Sequence, residues 1–170
     1  MKSYIALITL FLFVSAASFG QAKLKFGHLN SNDLLELMPE KVSAEKTIQD
    51  YAKQMETQLL EMQTELEKKY NDYTANQATY SDIVKKTKED ELMNMQQRIQ
   101  TFQQNAQTEL QKKEQELLKP IIEKAQKAIS DVAKENGYSY VFDTGVGTLL
   151  YWPKESDDLL PLVKTKLGIQ

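Results

Sequence analysis

The stretch from Val42 to Glu135 constrains the fold of this chain most strongly, because it contains no glycine and a single proline, Pro120. Apolar residues return every three or four positions along it, which is the spacing of one face of an α-helix. The average spacing is close to the repeat of helices that wind around each other left-handedly. The stretch therefore predicts long helices that contact each other along a narrow apolar seam. The seam residues are Ile48, Ala52, Met55, Leu59, Met62, Leu66, Tyr70, Tyr73, Leu92, Met95, Ile99, Phe102, Ala106, Leu110, Leu117, Ile121, Ala125, Ala128 and Val132.

The middle of this stretch, from Asn71 to Asp82, is rich in Asn, Asp, Thr, Tyr and Ser, which are poorer helix formers than the flanking residues. We interpret it as a turn between two arms, although neither glycine nor proline marks it and a continuous rod is the alternative. Short strands predicted on both sides favour the turn, because isolated strands do not persist in water and a shared sheet requires the helix to double back. Arms of about 30 to 50 residues would extend about 45 to 75 Å.

Two short elements are predicted before the long helices. Leu24 to Asn30 is rich in apolar residues and predicts a strand. Side chains that cap helices follow it and begin a short helix over Leu34 to Met38, which Pro39 ends or bends. Pro39 also suits the first turn of the next helix, since proline has no amide hydrogen to leave unpaired there.

Within the second arm, Pro120 is expected to kink the helix or restart it, because it removes one backbone hydrogen bond. Residues beyond it are denser in apolar groups than the arms and can pack against a body. Gly137 then predicts the end of the helix.

The C-terminal part predicts two more strands and a helix. Tyr138 to Asp143 and Gly147 to Trp152 have the composition of strands, and residues 144–146 suit the turn of a hairpin between them. Ser156 is the predicted N-cap of a final helix that runs to Leu167, with two acidic residues in its first turn.

The N-terminus has the pattern of an export signal. Lys2 precedes an apolar run from Tyr4 to Val14, and small residues follow up to Gly20. The run is shorter than the roughly 20 residues that span a bilayer, which argues against the alternative of a membrane anchor. We therefore predict that residues 1–20 are a signal peptide that is cleaved after Gly20.

Charge and cysteine content exclude several classes of partner and site. The net charge of the chain is −3, and removal of residues 1–20 takes away one lysine and no acid, which leaves −4. Nucleic acid is therefore not an expected partner, because phosphate binding needs clustered Lys and Arg. The sequence contains no cysteine, so disulfides and thiolate metal sites are impossible. An exported chain of this kind must be held together by packing or by association.

No motif of the sequence indicates catalysis. The single histidine, His28, lies in a predicted strand without an accompanying motif, and packing is its simplest role. The acidic residues occur on helix surfaces without the spacing of metal ligands. We therefore expect neither an enzyme nor a bound cofactor or metal.

Taken in order, these segments resemble the Skp family of periplasmic chaperones, also called the OmpH family. The resemblance extends over essentially the whole mature chain and depends on the order of the motifs, since no single motif is specific. The motifs are Phe26-Gly-His-Leu-Asn30, Leu34-Leu35, Met38-Pro39-Glu40, the Gln/Lys/Glu-rich arms, Pro120-Ile121-Ile122, Ala133-Lys-Glu-Asn-Gly-Tyr138, Val141-Phe-Asp143 and the closing Ser156-Asp-Asp-Leu159.

The resemblance implies an α+β fold in which a long α-helical hairpin, with coiled-coil-like arms, hangs from a small β-strand body. It implies that three copies associate through a trimeric β-barrel core and hold unfolded outer-membrane proteins in the cavity between the arms. In those terms the mature chain, 21–170, is one unit with a body at 24–41 and 120–170 and an arm at 42–119. The best-known family members are strongly basic, whereas this chain is acidic, so peripheral contact with the membrane is less favoured.

Two sets of residues are candidates for these roles. Methionine adapts to many surfaces, so methionines and tyrosines of the arms are candidate client contacts. Packing between the arms is the competing role, which is favoured for the methionines on the seam, whereas client contact is favoured for the tyrosines near the predicted turn. The predicted client-binding residues are Met62, Tyr70, Tyr73, Tyr80, Ile83, Val84 and Met93. The residues assigned to the trimer body are Phe26, Leu29, Tyr140, Phe142, Leu149 and Tyr151.

Two functions are compatible with the sequence. The first is a periplasmic holdase that needs no ATP and encloses unfolded chains through many weak contacts. The alternative is a structural coiled-coil adaptor or spacer of the cell envelope, bound to one folded partner. A spacer would be a stable rod with a defined binding face and no affinity for unfolded chains.

Overall fold

The computed structural model describes residues 24–169, and the predicted signal peptide lies outside this range. Two long helices form an antiparallel hairpin, and a small mixed body of strands and short helices surrounds the base of this hairpin. In chain order the elements are β1 (Phe26–Leu29), α1 (Ser31–Glu36), α2 (Pro39–Asn76), α3 (Asp82–Glu135), β2 (Tyr140–Asp143), β3 (Asp157–Asp158) and α4 (Leu160–Leu167).

The predicted turn between the arms is confirmed. Helix α2 ends at Asn76, one 3₁₀ turn spans Gln77–Thr79, and α3 begins at Asp82. Ser81 is the N-cap of α3, and its hydroxyl accepts a hydrogen bond from the amide of Val84. A polar sequence without glycine can therefore reverse the chain, because a capping serine begins the second helix. A continuous rod is not the fold of this chain.

The arms are long and of unequal length. Helix α2 has 38 residues and α3 has 54 residues, which correspond to about 57 and 81 Å of helix. Ion pairing between Glu40 and Lys124 joins the two helices near the body. At the far end, the Tyr73 hydroxyl donates a hydrogen bond to Glu89 Oε1 at 2.5 Å.

Pro120 lies inside α3, which continues without interruption from Asp82 to Glu135. Of the two outcomes predicted at Pro120, a kink or a restart of the helix, the restart does not occur. A proline inside a helix costs one backbone hydrogen bond, and the residues that follow it, Ile121 and Ala125, are buried in the core and hold the helix in place. The predicted stop is confirmed, since Gly137 has a left-handed φ of 71° two residues beyond the helix end.

The sheet has the strand order β2-β1-β3, and both neighbours of β1 are parallel to it. The register pairs Phe26 with Tyr140 and His28 with Phe142. A parallel pair needs a long crossover, and here the whole helical hairpin is the connection between β1 and β2.

The predicted hairpin of strands is wrong, because residues 147–152 form no strand and the third strand is Asp157–Asp158 instead. Strand propensity reflects how well a side chain fits a half-buried surface. Leu150 and Tyr151 do not pack against such a surface within residues 24–169, and their side chains are 94% and 79% exposed.

The final helix is present, but its predicted cap is wrong. The Ser156 hydroxyl donates to the carbonyl of Pro153 at 2.6 Å and does not reach the helix. Asp158 Oδ1 instead accepts from the amide of Leu160 at 2.9 Å. The two acidic residues expected in the first turn therefore belong to β3, and the N-cap position of the helix is Leu159.

One hydrophobic core joins all elements of the body. The side chains of Leu34, Met38, Leu159 and Val163 are completely buried. They come from α1, from α4 and from the residues that precede α2 and α4, and they pack against the base of the hairpin. The other buried members of this cluster are Leu29, Ala44, Ile121, Ala125, Ala128 and Val132.

The position of a leucine in or outside the body core should decide how much its replacement by alanine lowers stability. Leu34→Ala removes a completely buried side chain, so we expect it to lower the free energy of unfolding by about 2–5 kcal/mol. Leu37→Ala is the matched control, because Leu37 is 42% exposed at the end of the same short helix. Urea unfolding followed by circular dichroism measures both variants. Equal losses for the two variants would contradict this placement of the core.

Candidate interaction surfaces

The outer face of the sheet carries a cluster of exposed aromatic side chains. Alternation along β1 and β2 sends Gly27 and Leu29 toward the helices and Phe26, Tyr140 and Phe142 toward solvent. The ring centroids of Phe26 and Tyr140 are 5.8 Å apart, and those of Phe26 and Phe142 are 6.1 Å apart. Within residues 24–169 these three rings remain between 42% and 58% exposed, and we call Phe26, Tyr140 and Phe142 the aromatic face.

A groove of about 270 Å³ extends the aromatic face toward the segment that precedes β3. His28 lies in it, with its ring centroid 5.8 Å from that of Trp152. Leu150 and Tyr151 project beside this groove and are strongly exposed. The residues that line the groove are Phe26, Gly27, His28, Phe142, Leu149, Tyr151, Trp152, Pro153 and Ser156.

The structure brings most of the residues assigned to the trimer body onto this one surface. Phe26, Tyr140 and Phe142 form the aromatic face, and Leu149 and Tyr151 line the groove. Leu29 has a different place, because it is only 2% exposed and packs in the core of its own chain. Sequence reasoning did not select Trp152 and Leu150, although both lie in the apolar segment that it assigned to a strand.

Asp143 fixes the end of β2 to the start of α1. Its Oδ1 accepts from the amides of Ser31 (3.1 Å) and Gly145 (2.8 Å), and its Oδ2 accepts from the Ser31 hydroxyl (2.5 Å). Burial acts to raise the pKa of the Asp143 carboxyl, but these hydrogen bonds outweigh it and hold the pKa below its usual value. The carboxylate thereby positions the strand that carries Tyr140 and Phe142.

The arms carry the second candidate surface. Tyr70, Ile83, Val84 and Met93 are exposed, and Ile83 reaches 81%. Exposed apolar groups of this size on thin helices leave surface for a binding partner. Met62 is half-buried and borders a groove between the arms. Part of its side chain therefore packs between the arms, and the rest is accessible to a binding partner.

The other two predicted arm residues belong to a hydrogen-bonded cluster at the tip. Tyr73 and Tyr80 are half-buried with ring centroids 6.4 Å apart. The hydrogen bond to Glu89 raises the pKa of the Tyr73 hydroxyl, and the Tyr80 hydroxyl donates to Asp72 at 3.4 Å. These contacts cross the turn and stabilise it, so only part of each ring is free for a partner.

Sequence reasoning missed a shallow groove of about 520 Å³ halfway along the arms. It combines apolar surface from Met62 and Phe102 with amide side chains and Arg98, the only arginine in the chain. Such a mixture suits contacts with a polypeptide, since amides pair with backbone groups. Its complete lining is Gln58, Met62, Gln97, Arg98, Thr101, Phe102 and Asn105.

Residues 24–169 contain neither a helix suited to cross a membrane nor a metal site. No helix in this range combines the length and the apolar character needed to cross a membrane. No group of His, Asp or Glu side chains in the same range is arranged to hold a metal ion.

Comparison with known proteins identifies the family. The model of a family described as "Outer membrane protein (OmpH-like)" matches residues 25–167. The chain belongs to this OmpH-like family. The membership predicted from the order of motifs is therefore confirmed. A search of curated proteins finds no match for this OmpH-like chain.

The OmpH-like fold is also found among solved structures. A crystal structure from Caulobacter crescentus CB15, described as an OmpH-like outer membrane chaperone, matches this chain with a TM-score of 0.72 and 18% sequence identity. The match covers 87% of this chain and 86% of that chain. At this identity the likeness supports the fold, and the α+β architecture agrees with it.

The Asp143 contacts predict a pH-dependent stability for the OmpH-like body. Because the pKa of Asp143 is lowered in the folded state, the charged carboxylate stabilises the fold above the usual pKa of about 4, and this stabilisation is lost as the pH falls below it. We expect Asp143→Asn to lower the free energy of unfolding by about 1 kcal/mol at pH 7, since the group is partly exposed and screened.

Denaturant unfolding at several pH values measures this effect. The difference between wild type and Asp143→Asn should be full at pH 7 and shrink below about pH 4. Asp90→Asn, an exposed change on α3, is the control and should match wild type throughout. A difference that stays constant into acid would assign the loss to packing and not to the carboxylate charge.

Proposed function

We propose that this chain is a periplasmic holdase chaperone that needs no ATP and binds unfolded outer-membrane proteins between its helical arms. The observation that carries the proposal is the exposed apolar surface of the arms. The buried core lies at the base of the hairpin, and beyond it the thin helices leave Tyr70, Ile83 and Met93 exposed. Family membership and the chaperone description of the similar Caulobacter crescentus structure support this reading.

The proposed binding surface suits an unfolded client for a physical reason. Each exposed apolar group contributes little, so binding depends on many weak contacts that act together. Methionine and tyrosine adapt to different partners, which a chaperone of varied clients requires. A thin hairpin with a narrow seam can also bend around clients of different size.

Self-association into a homotrimer is part of the proposal, because one hairpin cannot enclose a client. The aromatic face and the strongly exposed Leu150 and Tyr151 offer apolar surface that a second copy would cover. The outer edge of β2 has no partner strand within residues 24–169, and association would pair it. Three copies, as the family resemblance implies, would place three hairpins around a central cavity.

The oligomer is tested by the mass of the protein without residues 1–20, measured by light scattering at micromolar concentration. We expect a trimer for the wild type and a monomer for Tyr140→Ser/Phe142→Ser, which removes two rings of the aromatic face. Leu162→Ser, an exposed change on α4, is the control and should leave the trimer intact. A monomeric wild type would contradict the cavity mechanism.

The holdase activity is tested by the aggregation of a denatured outer-membrane β-barrel protein after dilution from urea. Wild-type protein should suppress aggregation when trimer and denatured client are equimolar. The variant Tyr70→Ser/Ile83→Ser/Met93→Ser should need at least about threefold more protein for the same suppression. The control Gln103→Ser/Gln104→Ser/Gln107→Ser replaces three exposed polar residues of α3. If the wild type does not suppress aggregation, the proposed function is wrong. Equal activity of the two triple variants would show that Tyr70, Ile83 and Met93 do not contribute to client binding.

A further inference from the structure

The groove beside the aromatic face contains the chain's only histidine and its only tryptophan. His28 is half-buried, and its ring centroid is 5.8 Å from that of Trp152. Histidine is the side chain whose charge ordinarily changes between about pH 5 and pH 8. The groove that adjoins the surface proposed for association between copies therefore contains a side chain of a titratable type.

The hydrogen bonds of the groove indicate which nitrogen of His28 takes up a proton. Ser156 Oγ lies 2.6 Å from the carbonyl oxygen of Pro153 and 3.2 Å from His28 Nδ1. A hydroxyl has a single hydrogen, which goes to the carbonyl, so Nδ1–H of the neutral ring donates to Ser156 Oγ. Nε2 is then the unprotonated atom and the one that gains a proton in acid.

Few charged groups surround His28. On its own face of the sheet, the register places Asp158 of β3 beside it and the uncharged Phe142 of β2 on the other side. The segment before β3 lines the groove with the uncharged Trp152 and Pro153, together with Tyr151, a residue type that is ordinarily neutral in this pH range. The same segment also contains Lys154 and Glu155, which are exposed and of opposite charge.

Two other carboxylates of the sheet lie on its opposite face. Asp157 is in register with Gly27. It accepts a hydrogen bond from the Tyr138 hydroxyl and forms an ion pair with Lys25. Asp143 is in register with Leu29 and is bound to α1. Asp158 is thus the carboxylate that the strand register places on the face of His28. No ion pair within residues 24–169 includes the imidazole.

We propose that His28 makes self-association pH-sensitive, so that its protonation favours separate copies over the assembled form. In a separate chain the imidazolium has water and Asp158 nearby. In the assembled form a second copy replaces the water with apolar surface, and burial of an unpaired charge is unfavourable. The inference depends on the self-association proposed above and adds its regulation.

The first experiment measures the monomer–trimer equilibrium of the protein without residues 1–20 by sedimentation at pH 7.5 and pH 5.5. Both values lie above the ordinary pKa of carboxyl groups, so Asp and Glu remain charged. We expect the concentration at half-assembly to rise at least tenfold at pH 5.5. The matched variant His28→Asn keeps a donor for Ser156 Oγ but cannot be protonated, so its half-assembly concentration should be the same at both values.

The outcomes separate this inference from the proposed function. A trimer with the same half-assembly concentration at both pH values would overturn the role of His28 and leave the chaperone proposal intact. The same pH difference in His28→Asn would assign the effect to another group and also overturn it. A wild-type monomer at both pH values would overturn the self-association proposal together with the inference.

Trp152 provides a second measurement that does not depend on assembly. An imidazolium next to an indole changes its fluorescence, and this chain has one of each. At concentrations below assembly, the emission of wild type should change between pH 7.5 and pH 5.5, and that of His28→Asn should not. Constant emission of wild type over this range would show that His28 does not titrate there and would overturn the inference.

Discussion

The burial of Leu34, Met38, Leu159 and Val163 against the base of α3 is the interaction on which the rest of the structure depends. These side chains come from both ends of the described chain and meet only because the helical hairpin returns the chain to its starting point. Their burial brings β1 and β2 together in one sheet and anchors α4. Without this core, the three short strands would not persist in water.

The body and the arms differ in which apolar side chains they bury and which they expose. The body buries one apolar core, but the aromatic face and the groove of His28 remain exposed because a sheet of three short strands has one face against the helices and one toward solvent. The arms have a narrow seam that holds them together through residues such as Met95 and Ile99. Beyond the seam, the arms expose apolar side chains such as Ile83 and Met93. The proposed client binding depends on these side chains.

Much of the fold could be predicted because its signals are local. The absence of glycine and the apolar spacing predict the two helices, and Gly137 predicts where the second one ends. The strand character of Phe26–Leu29 and Tyr140–Asp143 follows from residue type. The candidate surfaces were partly predictable: exposed tyrosines near the turn were expected, but the groove of Met62, Arg98 and Phe102 requires two helices in a known register.

The sequence by itself determined the two long helical segments, the identity of the family and the apolar character of the exposed residues, because these depend on composition and spacing along the chain. Tertiary structure alone decided which strands pair, that residues 147–152 remain outside the sheet, and that Leu29 packs inward while Phe26 and Phe142 face outward. It also decided the meeting of His28 with Trp152 and Ser156. The physical reason is that pairing and burial depend on distant residues, which the hairpin brings together across more than a hundred positions of the chain.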